Sequence, residues 1–302
     1  RLARALTEAG PSFIKLGQAL STRSDLLGEE MTTDLAQLQD NLPPFAADLA
    51  RATIAEELGA PVDELFAEFD DHAIAAASIA QVHFTVTHDG RKVAVKVLRP
   101  DIEAAFQRDV DLLTWIAEIA ERTQPQLRRL KPIASIATLA ETVELEMDLR
   151  FEAAAAAELA ENFKDDPEFK VPEVDWQLTA RRVLTTERLI GGIPLDDRDE
   201  IVAAGHDPVK ILTRAAAASF RQVFRDGFFH ADTHPGNMFV LPDGRIAVVD
   251  FGIMGRLDLK SRRNIAEMLV AFLNRDYRRA AEIHFEAGWV PRDRSVDHFT
   301  QA

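Results

Sequence analysis

Between His230 and Gly252 the chain spaces its carboxylate and amide side chains in a way that suits the transfer of a phosphoryl group. Asp232 precedes Asn237 by five residues, and Asp250 follows the apolar run Ile246-Ala247-Val248-Val249, which reads as a short strand. An Asp in the first position can accept or orient the proton of an attacking hydroxyl. Asn237 and Asp250 would then be the hard oxygen ligands of a magnesium ion. Magnesium takes the rest of its shell from phosphate and water, so one Asn and one Asp suffice. A single Asp is a common turn residue; the ordered set is what points to chemistry. His230 and His234 flank Asp232, but no third His or Cys stands near them in the sequence, so His230 reads as structural rather than as a metal ligand.

Phosphoryl transfer also calls for a cation upstream. The segment from Arg91 to Leu98 alternates at period two and is rich in Val, which predicts a strand carrying Lys96. His88-Asp89-Gly90 is a tight-turn signal, and Phe84-Thr85-Val86-Thr87 before it completes a hairpin. Val93-Ala94-Val95-Lys96 is close to the Val-Ala-Ile-Lys of protein kinases, and the Asp232 to Asn237 spacing is that of their catalytic loop. From Pro132 to Asn162 one long helix is expected, with Leu139, Val143, Met147 and Phe151 as its apolar stripe and Glu144, Asp148 and Glu152 on a neighbouring face. In a kinase such a helix carries a Glu that pairs with the strand Lys. By that comparison Glu152 is the expected partner of Lys96, and Glu146 is the second candidate.

Where a protein kinase has its Gly-rich loop, this chain reads Ile74-Ala75-Ala76-Ala77-Ser78-Ile79-Ala80-Gln81-Val82-His83, without a glycine. With these alanines the segment resembles the ABC1/UbiB/ADCK (AarF-type) family of atypical protein-kinase-like proteins. Lys15-Leu16-Gly17-Gln18 matches that family's Lys-x-Gly-Gln signature, and Glu146-Met147-Asp148 matches its Glu-x-Asp. The matching blocks run in order from residue 13 to 257.

The resemblance implies an α+β, bilobed kinase-like fold with a helical N-terminal extension folded over the active site. It implies ATP and magnesium as cofactors, with Asp232 and Lys96 catalytic and Asn237 and Asp250 at the metal. Nucleotide contacts would come from Ala75, Ala76, Ala77, Ser78, Lys96 and Glu152, and from Lys15, Gln18, Glu146 and Asp148. It further implies isoprenoid-quinone (ubiquinone-type) biosynthesis or membrane-lipid homeostasis, with lipid or quinone precursors and quinone-biosynthesis enzymes as partners. Two other readings stay open. One is a small-molecule kinase of the aminoglycoside or choline type, which shares the His-x-Asp-x-x-x-x-Asn loop. The other is a nucleotide-gated scaffold or chaperone-like ATPase.

The elements that must position these residues fall into three stretches. Residues 1–60 read as a helical extension: Pro11-Ser12 opens a helix with Lys15 and Gln18 on one face, and a second helix over 47–59 is closed by Gly59. Residues 61–190 read as the small lobe, with helices over 102–123 and 132–162, two strands over 170–187, and a hinge from Thr185 to Ile190. Residues 191–302 read as the large lobe: an Ala-rich helix over 208–226, the catalytic loop, a hairpin at Pro242-Asp243-Gly244, then helices.

Composition narrows the partners. With Lys+Arg 35 against Asp+Glu 50 the net charge is −15, which disfavours nucleic acid. An anionic membrane would repel most of this surface, although a local basic patch could still bind. The absence of cysteine excludes disulfides and thiolate metal sites. No run of 18 apolar residues and no signal-peptide pattern is present. The chain opens on Arg and closes in a charged, helix-like stretch, so it is expected to belong to a longer protein. The resemblance then implies a cytoplasmic domain, peripheral to or anchored at the inner membrane through regions outside these residues.

Overall fold

The computed structural model describes residues 29–35, 43–124 and 131–290 and the single positions 6, 10, 13, 14, 17, 128, 295 and 296. Lys15 and Gln18 lie outside the described residues. The chain forms two compact units, residues 1–154 with 173–188, and residues 155–172 with 189–302. This differs from the three stretches expected above. Residues 47–58 pack into the core of the first unit, and residues 169–170 pair with a strand of the second.

Helices α1 (Glu29–Leu35), α2 (Ala47–Leu58) and α3 (Val62–Leu65) open the first unit, with Gly59 closing α2 at φ 75°. Its sheet is antiparallel in the order β1-β3-β4-β6, with β2 added on β3. The strands are β1 (Phe66–Phe69), β2 (Ala75–Ala76), β3 (Ala80–Thr87), β4 (Lys92–Leu98) and β6 (Val183–Glu187). The expected β3–β4 hairpin forms, and Gly90 at φ 84° supplies the left-handed residue of its turn. Alternation along β4 divides its side chains between two cores. Val93, Val95 and Val97 pack with Ile54, Val62, Phe66 and Val183. Leu98, on the opposite face, packs with Leu184, Ile102 and Phe106 of α4 (Ile102–Thr123), and with Val143, Met147, Leu149 and Ala153. Each of the larger of these side chains contributes about 1.5–3 kcal/mol on burial.

The expected long helix is two helices, α5 (Pro132–Glu146) and α6 (Leu149–Asn162). Asp148 makes the break. Its Oδ1 accepts from Arg150 N at 3.1 Å, an N-cap interaction, while Leu149 N turns away to donate to Arg181 O at 2.8 Å. Val143 and Met147 are buried as the stripe predicts, but Phe151, beyond the break, is 58% exposed. The side chain of Leu139 lies outside the described residues. The hinge also begins later than expected. Thr185, Thr186 and Glu187 are strand β6, paired with Val95, Ala94 and Val93, and the units divide after Arg188.

In the second unit a four-stranded sheet runs β5-β10-β9-β7, and a separate pair joins β8 to β11. These are β5 (Phe169–Lys170), β7 (Ile193–Pro194), β8 (Phe228–His230), β9 (Met238–Val240), β10 (Ile246–Val248) and β11 (Met254–Arg256). The β9–β10 hairpin turns at Gly244, φ 80°, as its Pro-Asp-Gly signal predicts. The helices are α7 (Arg198–Ala203), α8 (Pro208–Phe220), α9 (Leu259–Leu273) and α10 (Tyr277–Glu286). The helix expected to reach 226 passes at Arg221 into a π-helical turn that ends on Gly227. A Cβ on Gly227 would lie 2.6 Å from Leu257 O, so no other residue fits there without displacing backbone. Among the described residues no helix is long and apolar enough to cross a membrane.

Candidate active site

Lys96 follows from the alternation of β4. Its neighbours Val95 and Val97 are buried on one face, which leaves Lys96 to point to the other, where α6 begins. The cap at Asp148 places Glu152 in the first turn of α6, beside the buried Leu149 and Ala153. Lys96 Nζ donates to both Glu152 carboxylate oxygens at 2.9 Å. The two side chains are 21% and 8% exposed. At that burial each charge offsets part of the other's desolvation. Glu146, the second candidate, is the last residue of α5 and sits before the break. Asp148 is engaged by Arg150, whose Nε and Nη2 lie 2.8 and 2.6 Å from its oxygens. That guanidinium holds the Asp148 carboxyl below the usual carboxylate range.

The alanine segment folds as a tight hairpin. Ala75 and Ala76 pair with Val82 and Gln81, and Ala77 N donates to Ala80 O at 2.8 Å. Ser78 is fully buried, and among the described residues its hydroxyl has no hydrogen-bond partner. Behind the hairpin, Gln81 Nε2 lies 2.8 Å from His83 Nε2, and His83 Nδ1 lies 2.8 Å from Asp70 O. A carbonyl can only accept, so Nδ1 carries the proton and Nε2 accepts from Gln81. Burial lowers the His83 pKa, which matches this neutral ring.

In the second unit one histidine arranges the loop. His230 is 4% exposed; its Nε2 donates to Val249 O at 3.2 Å and its Nδ1 accepts from Asp232 N at 3.2 Å. His230 N in turn donates to Gln222 Oε1 at 2.9 Å. Gln222 was not singled out in the sequence. It is buried because the π turn rotates it inward, a distortion that single-residue patterns do not announce. Asn237 is 7% exposed and its Nδ2 faces Asp232, 3.2 Å from the carbonyl oxygen and 3.5 Å from Oδ2. These two Asp232 oxygens accept, so this orientation leaves Asn237 Oδ1 as the atom available to a cation. Val249 N donates to Asn237 O at 2.9 Å, which ties the start of the Asp250 turn to the Asn237 loop. Asp250 itself adopts φ 62°, a left-handed conformation that turns it to solvent while Phe251 is buried. Such a conformation costs about 1–3 kcal/mol in a non-glycine residue and is kept where the geometry matters.

The donors so arranged are oxygens, the set magnesium prefers. Among the described residues no three His, Cys, Asp or Glu side chains converge to form a metal cage. Magnesium bound mainly by phosphate and water has no need of one. The first unit therefore brings Lys96 and Glu152 together, and the second brings Asp232 and Asn237 together with Asp250 next to the held Val249. Lys15 and Gln18 remain outside the described residues.

Comparison with known proteins identifies the family and the fold. Residues 37–284 match the model of the ABC1 atypical kinase-like domain. The probable protein kinase UbiB of Marinobacter nauticus is 44% identical over 306 residues, covering all of this chain and 56% of that protein. The protein of the same name from Aeromonas salmonicida is 44% identical over 99% of this chain and 56% of its own length. That from Azotobacter vinelandii is 42% identical over all of this chain and 57% of its own length. The chain thus spans just over half the length of these curated relatives. Among solved structures, the complex of Rv3197 with erythromycin from Mycobacterium tuberculosis superposes with a TM-score of 0.67 at 29% identity, over 93% of this chain and 69% of that one. The Lys96–Glu152 pair, the Asp232–Asn237 loop and the turn at Asp250 thus stand on a kinase-like α+β fold, and the chain belongs to the ABC1 atypical kinase-like family.

Proposed function

We propose that this chain binds Mg-ATP and transfers or hydrolyses its terminal phosphoryl group. The observation that carries this reading is the Lys96–Glu152 ion pair. A half-buried ammonium held by a carboxylate on a neighbouring helix is preorganised for phosphate and need not reorganise when charge develops. Asp232 would orient or accept the proton of the attacking hydroxyl or water. Its carboxylate is kept in place by Asn237 and its backbone by His230. Asn237 Oδ1 and Asp250 would hold magnesium, which supplies charge neutralisation on the phosphate oxygens. Ala75, Ala76 and Ala77 would line the phosphates with Cβ atoms where glycine would leave amides bare, with Ser78 buried behind them. Lys15, Gln18, Glu146 and Asp148 enter the nucleotide site by family resemblance.

The same resemblance suggests isoprenoid-quinone or membrane-lipid metabolism as the setting, with a lipid or quinone precursor as acceptor. The test is to incubate the purified chain with γ-labelled ATP and membrane lipid extract, then follow the label. Label on lipid supports a lipid kinase, label released as phosphate supports an ATPase, and label on protein supports a protein kinase. No Mg-dependent turnover and no nucleotide binding would overturn the proposal.

A further inference from the structure

We propose that Arg99 and Gln81 form a latch that joins the strap at residues 43–45 to the alanine hairpin, so that the strap sets the conformation of the phosphate loop. The inference rests on the nucleotide-binding reading of that loop and names the residues that position it.

Arg99 directly follows β4, three residues after Lys96. Its backbone N donates to Ile79 O at 2.8 Å, and its Nε and Nη2 donate to Ala77 O at 3.2 and 2.9 Å. One residue therefore holds both ends of the turn at residues 77–79. The same Nη2 donates to Pro43 O at 2.8 Å, and the guanidinium lies 5.5 Å from the centroid of the Phe45 ring. Gln81 grips the strap a second time: its Oε1 accepts from Phe45 N at 2.8 Å and its Nε2 donates to Phe45 O at 3.3 Å. Gln81 is 1% exposed and sits opposite Ala76 in the β2–β3 register.

Three physical features make this a coupling rather than ordinary packing. First, among the described residues no carboxylate pairs with Arg99, so its half-buried charge is compensated by the carbonyls of strap and turn. Losing either would leave a desolvated cation poorly solvated, so the two are held together. Second, the planar fork of a guanidinium spans two carbonyls at fixed geometry, which a lysine ammonium on a flexible stem does not. Third, the strap is Pro43-Pro44, whose fixed φ transmits a displacement instead of absorbing it. Where the Gly-rich loop of a kinase closes on phosphate by its own flexibility, the alanine hairpin is held from outside by the strap. Arg99 and Gln81 are positioning residues for the nucleotide.

The test combines amide hydrogen exchange with steady-state kinetics on the full chain, using Mg-ATP as the probe. The variants are Arg99→Lys, which keeps the charge but loses the fork, and Pro44→Gly, which softens the exposed strap without touching the latch. Both are expected to speed exchange of the Ala77 amide: about tenfold in Arg99→Lys, the effect of losing one charge-assisted hydrogen bond, and by a smaller factor in Pro44→Gly. Amides of Val95 and Val97 should stay unchanged, and the melting temperature should fall by no more than a few degrees. KM for Mg-ATP should rise by a similar factor with little change in kcat, a split that general destabilisation would not produce. Unchanged Ala77 exchange in Pro44→Gly would overturn the latch, as would a loosened turn with unaltered KM. A parent chain that binds no nucleotide would remove the proposed function, and exchange at Ala77 would still decide whether strap and turn are coupled.

Discussion

His230 Nε2 lies 3.2 Å from the carbonyl oxygen of Val249, so the residue two places before Asp232 holds the residue just before Asp250. One buried imidazole thereby fixes the spacing of the Asp232 and Asp250 loops within the second unit. His230→Phe keeps the volume and loses the donor to Val249 O and the acceptor for Asp232 N. It should lower stability by about 2 kcal/mol, the cost of stranding buried polar groups, and weaken Mg-dependent nucleotide binding. Chemical denaturation with and without Mg-ATP measures both. Unchanged stability would mean that the ring is a passive filler.

Lys96 and Glu152 should behave as one unit. Lys96→Ala and Glu152→Ala are each expected to weaken nucleotide binding, and in a double-mutant cycle their effects should fall short of additivity by about 1–3 kcal/mol. Strict additivity would uncouple the pair and return Glu146 to consideration.

Legibility in the sequence followed the range of the interaction. Lys96 could be read because period-two alternation puts a polar residue opposite Val93, Val95 and Val97, and that alternation survives in β4. The hairpins at Gly90 and Gly244 could be read because each turn carries its own left-handed glycine. The break between α5 and α6 could not, because Val143 and Met147 continue the helical stripe up to the cap that Asp148 makes. Thr185 looked like a polar hinge residue, yet it is fully buried and donates to Leu178 O at 2.6 Å. Gln81 with Phe45 and Gln222 with His230 were silent for a related reason: each meets its partner through side-chain-to-backbone bonds that leave no periodic trace.

Asp148 should act as a cap on α6. Asp148→Ala is expected to cost about 1 kcal/mol, whereas Asp148→Asn, whose side-chain oxygen can also cap, should cost less. Urea midpoints at pH 7 decide this. Equal losses in the two variants would mean that the ion pair with Arg150, and not the cap, carries the effect.

His83 gives the first unit an acid-sensitive point. Burial lowers its pKa below the ordinary value of 6.5, so folding favours the neutral ring. Its stabilising contribution is complete above the unfolded pKa and is lost as pH falls through the folded one. Stability should therefore decline from pH 6.5 downward, and His83→Gln should flatten that part of the profile. A parent profile that is level between pH 7 and 5, or one that His83→Gln leaves unaltered, would contradict the buried neutral ring.

Nucleotide binding through a metal held by Asp250 and Asn237 would appear as a thermal shift. With Mg-ATP at about a hundred times its Kd, the parent should gain about 2.7 kcal/mol, a shift of several degrees in Tm, and should lose that gain when magnesium is chelated. Asp250→Asn removes a charge from an exposed side chain, so it should fold like the parent and show little or no shift. A Mg-ATP shift in Asp250→Asn as large as in the parent, or no shift in the parent at saturating Mg-ATP, would mean that Asp250 and Asn237 do not hold a nucleotide-bound metal.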